Sequence, residues 1–392
     1  MAEEVWMLQT KKADFKQIGA RFRIDPVTAR IIRNRGIEGE AAIDRYLNGT
    51  LDDLYDPMLL KDMERAVSIL CEAVDTGKKI RIVGDYDIDG VCSTYILLQA
   101  FERLGSDVDF EIPDRIKDGY GINESIIEQA HADGVEVILT CDNGISAFHQ
   151  VELAKKYGMT VVITDHHEVP LDGEKEKIPP ADAVIDPKQA DCPYPFPEIC
   201  GAVVAYKLVQ VLYARRGVPQ MEWLDLLEFA AIATVGDVMK LQDENRILVK
   251  YGLKKMAQTK NLGLRRLAEK NNLDLGAITA YHIGFVIGPC LNAGGRLKTA
   301  KEALALLRAQ SEEEAERLAE ELKELNDTRK DMTEQGTEAA KLQVESWYQK
   351  DKVLVVFLPE CHESLAGIIA GRLREYYQKP AIVLTRGEEA VK

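Results

Sequence analysis

Lys79-Ile80-Arg81-Ile82-Val83-Gly84-Asp85-Tyr86-Asp87-Ile88-Asp89-Gly90 is the stretch that decides the fold. A short apolar run ends at a glycine, three carboxylates follow at every second residue, and a helical pattern then runs over 91–104. A strand that feeds an acidic loop into a helix is the opening of a β-α-β unit. Strand-like runs recur at 108–112, 135–141, 160–164 and 183–185, with helix-like segments between most of them. Strands alternating with helices at this spacing predict an α/β fold built on a doubly wound parallel sheet.

Outward from this unit, residues 1–75 read as a helical N-terminal extension, with turn signals at Asp25-Pro26, Asn48-Gly49 and Asp56-Pro57. Residues 76–260 form the expected main domain, its last part (201–256) helical. Residues 261–350 read as a helical region ending in a long charged connector helix over 311–347, rich in acid–base pairs at helical spacing. In 351–392 a strand (353–358), a helix (364–377) and a strand (381–384) read as the start of a second α/β domain, incomplete at Lys392.

Composition bounds what such a chain can do. The 392 residues suit two or three domains, and 46% hydrophobic with 29% charged residues are ordinary globular proportions. No run approaches the ~18 apolar residues of a spanning helix, and Met1–Lys12 lacks the parts of a signal peptide, so a cytoplasmic protein without membrane contact is expected. Seven widely spaced cysteines, an odd number with no C-x-x-C pair, support neither a disulfide framework nor a structural zinc site. A net charge of -15 argues against blanket binding of a polyanion, whose affinity depends on Lys and Arg. Any such site must be local. Residues 11–35, with eight Lys/Arg against Asp14 and Asp25, and residues 254–270, with six against Glu269, are the basic windows; each is equally readable as a solvated helix face.

The chemistry sits at the strand ends. Asp85, Asp87 and Asp89 repel one another unless a cation compensates them, and an EF-hand is excluded because its twelfth position is Ile96 rather than Glu. The apolar run at 135–141 ends in Asp142-Asn143-Gly144 and the one at 160–164 in Asp165-His166-His167. Either alone reads as a capped turn. In an open parallel sheet, however, ligands gather outside the carboxyl ends of the strands, which brings Asp85, Asp87, Asp89, Asp142 and His166 together. Asp237, in Gly236-Asp237, interrupts an apolar stretch and reads as a further ligand or a helix cap. Oxygen ligands with imidazole suit Mg2+ or Mn2+, and so many acids suit two ions roughly 3.5 to 4 Å apart acting on a phosphoester. No G-x-x-x-x-G-K-[ST] loop is present, so ATP-driven work is not indicated.

In order and spacing, Asp85-Tyr86-Asp87-Ile88-Asp89-Gly90, Asp142-Asn143-Gly144, Asp165-His166-His167 and Gly236-Asp237 resemble the four motifs of the DHH phosphoesterase superfamily. Ile112-Pro113-Asp114-Arg115 with Asp118-Gly119-Tyr120-Gly121, Leu291-Asn292-Ala293-Gly294-Gly295-Arg296-Leu297, and His362 through Leu373 are similar to its RecJ branch, the single-strand-specific 5′ to 3′ DNA exonucleases of bacterial repair and recombination. The likeness covers nearly the whole chain. It implies that 76–260 is the DHH catalytic domain and 351–392 the start of a DHH-associated nucleic-acid-binding domain, and that the enzyme is a hydrolase of single-stranded DNA.

The resemblance further implies that Asp85, Asp87, Asp89, Asp142, His166 and Asp237 hold two Mn2+ or Mg2+ ions, with Asp142 bridging. Asp142 and Asp89 would thereby share in catalysis with His167, placed beside the scissile phosphate. Arg115, in the loop of Gly119, Tyr120 and Gly121, would bind a phosphate near the 5′ end, and Asn292, Arg296, His362 and Arg372 would hold the strand across the cleft. By resemblance alone, a helicase and a single-strand-binding protein are candidate partners, and a monomer is expected. One departure is Val83, where many superfamily members carry a His ligand, which implies that one ion is held more weakly. Two alternatives remain at this point: a DHH oligoribonuclease or cyclic-dinucleotide phosphodiesterase, and a non-catalytic replication scaffold.

Overall fold

The computed structural model describes residues 5–7, 9, 11–387 and 391–392. Three short helices come first, α1 (Phe15–Phe22), α2 (Pro26–Asn34) and α3 (Glu40–Asn48). Asp14 and Asp25 start the first two by accepting backbone N–H bonds, and Ile32, Ile37, Ile43 and Tyr46 close a small core between them. α4 (Met63–Asp75) then leads into β1 (Ile80–Val83), α5 (Ile88–Arg103), β2 (Val108–Glu111), α6 (Glu124–Ala132), β3 (Val137–Cys141), α7 (Phe148–Lys156) and β4 (Thr160–Thr164). A small antiparallel ribbon of β5 (Leu171–Asp172) and β6 (Lys175–Glu176), which carries no period-2 signal in sequence, precedes β7 (Ala183–Ile185).

The main sheet has the order β2-β1-β3-β4-β7 with every pair parallel. β1, β3 and β7 are buried throughout because helices cover both faces. Ile80, Ile82, Leu139 and Val162 pack on one side with α4 and α5, and Val83, Ile138, Val161 and Val184 on the other with α6 and α7. The doubly wound expectation therefore holds. The chain leaves β1 for β2 on one side and returns to β3 on the other, so the crevice at the strand ends opens between β1 and β3.

Helices α8 (Gly201–Arg216), α9 (Gln220–Leu224), α10 (Leu227–Gly236), α11 (Asp243–Met256) and α12 (Leu262–Lys270) follow. After α13 (Ala280–His282), a π-helical turn at Ile283–Ile287 runs into α14 (Gly288–Leu297) and α15 (Lys301–Leu307). The expected divisions at residues 75 and 260 do not coincide with packing boundaries, since α4, α8, α10, α12, α14 and α15 all contribute to one core running from Leu60 to Leu322. Sequence periodicity marks apolar faces but not which neighbour covers them.

The connector is one helix, α16 (Glu312–Gln343), shorter than expected because it passes into a π-helical turn at Val344–Tyr348. Its first half contributes Leu318 and Leu322 to the main core, and its far end contributes Ala340, with Val344 of the following turn, to a second core. There β8 (Leu354–Phe357), α17 (Glu363–Tyr377) and β9 (Ala381–Leu384) form a parallel β-α-β unit. Leu354 and Val356 face that core while Val355 and Phe357 are exposed, the alternation of a strand covered on one face. No helix among the described residues is long and apolar enough to cross a membrane. All seven cysteines are unpaired.

Candidate metal centre

Asp85 emerges two residues beyond β1, level with Asp142 at the end of β3, since Val83 pairs with Thr140 in register. Asp87 is not in a loop running to residue 91 as the sequence pattern implied; it caps α5, its Oδ1 accepting from Asp89 N at 2.9 Å and Gly90 N at 3.1 Å. Asp89 consequently lies in the first helical turn and points to another helix start, where Gly201 N and Ala202 N donate to its two oxygens at 2.7 and 2.8 Å. A β-carbon on Gly201 would stand 2.7 Å from Asp142 Cβ, so only glycine allows α8 to approach this closely. Asp142 itself sits at φ 60°, a left-handed conformation uncommon outside glycine.

His166 Nε2 lies 3.1 Å from Asp142 Oδ1, 3.4 Å from Asp89 Oδ2 and 3.9 Å from Asp237 Oδ2. Asp237 follows α10 directly. Ligand atoms of Asp85, Asp87 and Asp142 fall within 4.8 Å of one another, as do those of Asp89, His166 and Asp237, and those of Asp142, His166 and His167. The three overlapping sets join all six expected ligands.

Charge tests whether these residues fit divalent ions. Among the described residues no Lys or Arg comes within 4.0 Å of Asp85, Asp87, Asp89, Asp142 or Asp237; only the two imidazoles do. Burial and then the Asp87 charge push Asp85 up to about 7, and burial and then Asp89 do the same to Asp237. Burial followed by Asp89 raises both Asp87 and Asp142. Burial holds His166 below the usual imidazole range although Asp89 opposes it, and its Nδ1 is buried without a partner. Crowded acids lacking a counter-charge, beside a neutral imidazole, fit a cation of the Mg2+ or Mn2+ type.

His167 differs from its neighbour. Its Nδ1 is 2.7 Å from Asp165 Oδ1, and Tyr120 Oη is 3.1 Å from the same nitrogen while donating to Asp142 O at 2.8 Å. Burial disfavours the imidazolium, but the Asp165 hydrogen bond and the surrounding carboxylates outweigh it and raise His167 to about 9. The Gly119–Gly121 turn brings Gly121 N to 3.4 Å from Asp85 Oδ1. Arg115 stacks over Tyr86 at 4.6 Å, and with Arg296 lines a cleft of about 450 Å3. Gly295 lets α14 reach it, for a β-carbon there would be 2.3 Å from Tyr86 O.

Residues 79–234 match the DHH family, N-terminal domain. The single-stranded-DNA-specific exonuclease RecJ of Bacillus subtilis is 36% identical over 385 residues, covering 98% of this chain and 48% of that protein. A crystal structure of exonuclease RecJ bound to manganese aligns with a TM-score of 0.74 at 33% identity, over 83% of this chain and 80% of that one. The chain belongs to the RecJ family. The crystal structure of RecJ in complex with Mn2+ from Thermus thermophilus aligns at TM-score 0.79 and 30% identity, over 95% of this chain and 52% of its own. The chain thus spans about half the length of the curated B. subtilis relative.

Within this RecJ fold the remaining expected residues are not all in one place. Asn292 lies one turn before Arg296 with its Oδ1 buried and unpartnered. His362 does not join the Arg115–Arg296 cleft: its Nδ1 bonds Ser364 Oγ at 2.8 Å and its ring borders a separate cavity with Met332 and Leu358. Arg372 borders a third cleft, with Tyr376.

Sequence reasoning missed several residues. Asp165 accepts from Ile145 N, His166 N and His167, and these bonds hold it below the usual carboxylate range against its burial. Asn143 ties three elements together, donating to Val83 O and Cys141 O and accepting from Ile122 N. Asp186 follows β7, fully buried, and is pushed up to about 7 by burial and then by Asp165. The signal was available, since each of the three follows a strand end closely.

Proposed function

We propose that this chain hydrolyses single-stranded DNA from its 5′ end with Mn2+ or Mg2+, in cytoplasmic repair and recombination. The observation that carries the reading is the convergence of five uncompensated carboxylates and His166 in the crevice at the ends of β1 and β3. Asp85, Asp87, Asp89, Asp142, His166 and Asp237 would hold the ions. When bound, such ions neutralise charge on a phosphodiester and lower the pKa of water that attacks it.

The chain's own residues supply the rest. His167, kept protonated by Asp165, would present an N–H at the scissile phosphate and pass its proton to the departing 3′ oxygen as water adds to phosphorus and the P–O3′ bond breaks. A 5′-mononucleotide leaves and the shortened strand keeps a 5′ phosphate. Tyr120 orients His167, and Arg115 with Arg296 would hold a phosphate beside the reacting bond, bidentate guanidinium contacts suiting that anion. Digesting end-labelled single-stranded DNA and RNA with each ion tests this. Mononucleotides released first from the 5′ end of DNA are expected; release from the 3′ end, or equal use of RNA, would overturn the polarity or the substrate.

A further inference from the structure

Many arginines of this acidic chain are ion-paired, including Arg45, Arg81, Arg103, Arg215, Arg216 and Arg266. Arg115, Arg296, Arg329 and Arg372 differ, for among the described residues they have no carboxylate of another element within 4.0 Å; Arg296 donates to Ser364 O at 3.0 Å and Arg329 Nε to Asn326 Oδ1 at 3.1 Å. Each comes from a different element, the loop after β2, α14, α16 and α17. Most of their N–H donors are left unused.

Arg329 is aimed by its surroundings. Asn326, 1% exposed, donates to Cys290 Sγ of α14 at 3.4 Å while its carbonyl accepts from Arg329. The guanidinium is half-buried, and the charges in the row act on one another in sequence. Burial, then Arg115 and Arg329, push Arg296 down, and burial, then Arg372, push Arg329 down. Arg115 and Arg296 border the cleft beside the metal centre. Arg372 borders a cleft of about 680 Å3 with Lys330, Lys341 and Tyr376, where Glu334, Glu338 and Glu375 also enter the lining and end the positive row. α16 packs against both α14, which carries Arg296, and α17, which carries Arg372, and Arg329 lies on it one residue before Lys330 of the second cleft. Arg115, Arg296 and Arg329 are half-buried and Arg372 is exposed; like charges gathered this way are costly without a polyanion to neutralise them.

We infer that Arg329 binds a backbone phosphate of the strand, between the phosphate held at Arg115 and Arg296 and one held at Arg372, so that the connector helix itself carries substrate. The inference rests on the hydrolase reading. It predicts dependence on strand length, which a purely structural role for Arg329 would not produce.

The test compares the full chain with Arg329→Gln, Arg329→Lys and the control Arg317→Gln, whose guanidinium is exposed and paired with Glu321 on the same helix. Steady-state hydrolysis with Mn2+ is measured on oligodeoxynucleotides from dinucleotide to about 20 nucleotides, and binding across a salt series in an Asp142→Asn background. For long strands Arg329→Gln should raise KM about tenfold, the loss of one charge-assisted contact, with kcat at saturation unchanged and Arg329→Lys partly restored. Dinucleotides should be unaffected, and the salt slope should fall by about 0.7. Equal losses at every length, or unchanged KM and slope, would overturn the inference. A wild-type chain inert toward every oligonucleotide would defeat the hydrolase reading instead, and the salt slope would still decide Arg329.

Discussion

Asp165 Oδ1 lies 2.7 Å from His167 Nδ1 and also accepts the backbone N–H of His166 and of His167 itself, so one buried carboxylate sets the direction of both adjacent imidazoles. Two consecutive histidines thereby enter different surroundings. His166 turns inward to three carboxylates, while His167, its side chain 44% exposed, faces the open crevice.

His167→Ala should lower turnover by about 100-fold or more, as for loss of a general acid or charge stabiliser, with ion binding retained; His166→Ala should lose ion. Calorimetric Mn2+ titration of both variants beside turnover separates the roles, and equal loss of ion in the two would contradict them.

Asp165→Asn should pull His167 down from about 9 towards the ordinary imidazole value near 6.5. The sign follows from losing the partner that favours the imidazolium. NMR titration of the ring in metal-free protein reads it, and an unmoved midpoint would remove Asp165 from the assignment.

Asp142→Asn should abolish hydrolysis yet stabilise the metal-free fold, because it removes one member of a mutually repelling, buried acid group. With saturating Mn2+ the order should reverse, since an ion at about 100 times its dissociation constant stabilises by about 2.7 kcal/mol. Thermal midpoints of both proteins with and without Mn2+ check the crossing.

Glu228, 3% exposed, bonds Thr259 through one oxygen while the other has no partner, and burial raises it to about 7. Its folded pKa exceeds the unfolded one, so its contribution is complete below roughly pH 4.3 and is lost as pH rises through about 7. Glu228→Gln should flatten the stability–pH curve over that window by on the order of 2 to 3 kcal/mol. Denaturant midpoints at pH 5 and pH 8 measure the difference between variant and parent.

Lys207 and Glu244, 1% and 0% exposed, pair at 3.1 Å, and Lys207 also donates to Tyr55 O. Lys207→Met should cost about 3 to 5 kcal/mol by leaving the carboxylate buried without a counter-charge, its remaining donors being Tyr194 Oη and Tyr55 N, and Lys207→Met with Glu244→Gln should cost less. Urea unfolding of the single and double variants tests the coupling.

The strand ends were legible in sequence because their signals are local. An apolar run and an acid fall within a few residues, with a glycine between them after β1, and parallel pairing alone carries Asp85, Asp142 and His166 to one edge. The parallel pairing of the strands and the start of α17 were readable for the same reason. Tertiary structure decided what depends on segments far apart in the chain: Asp89 gripped by Gly201 and Ala202, Arg296 brought to Arg115 past Gly295, and His362 turned to a different cavity. It also decided which charges have partners. Arg329 and Arg317 look alike in a helix full of acids, and only packing leaves Arg329 half-buried against Asn326 and unpaired, because burial and neighbouring charge are properties of position in space rather than of sequence spacing.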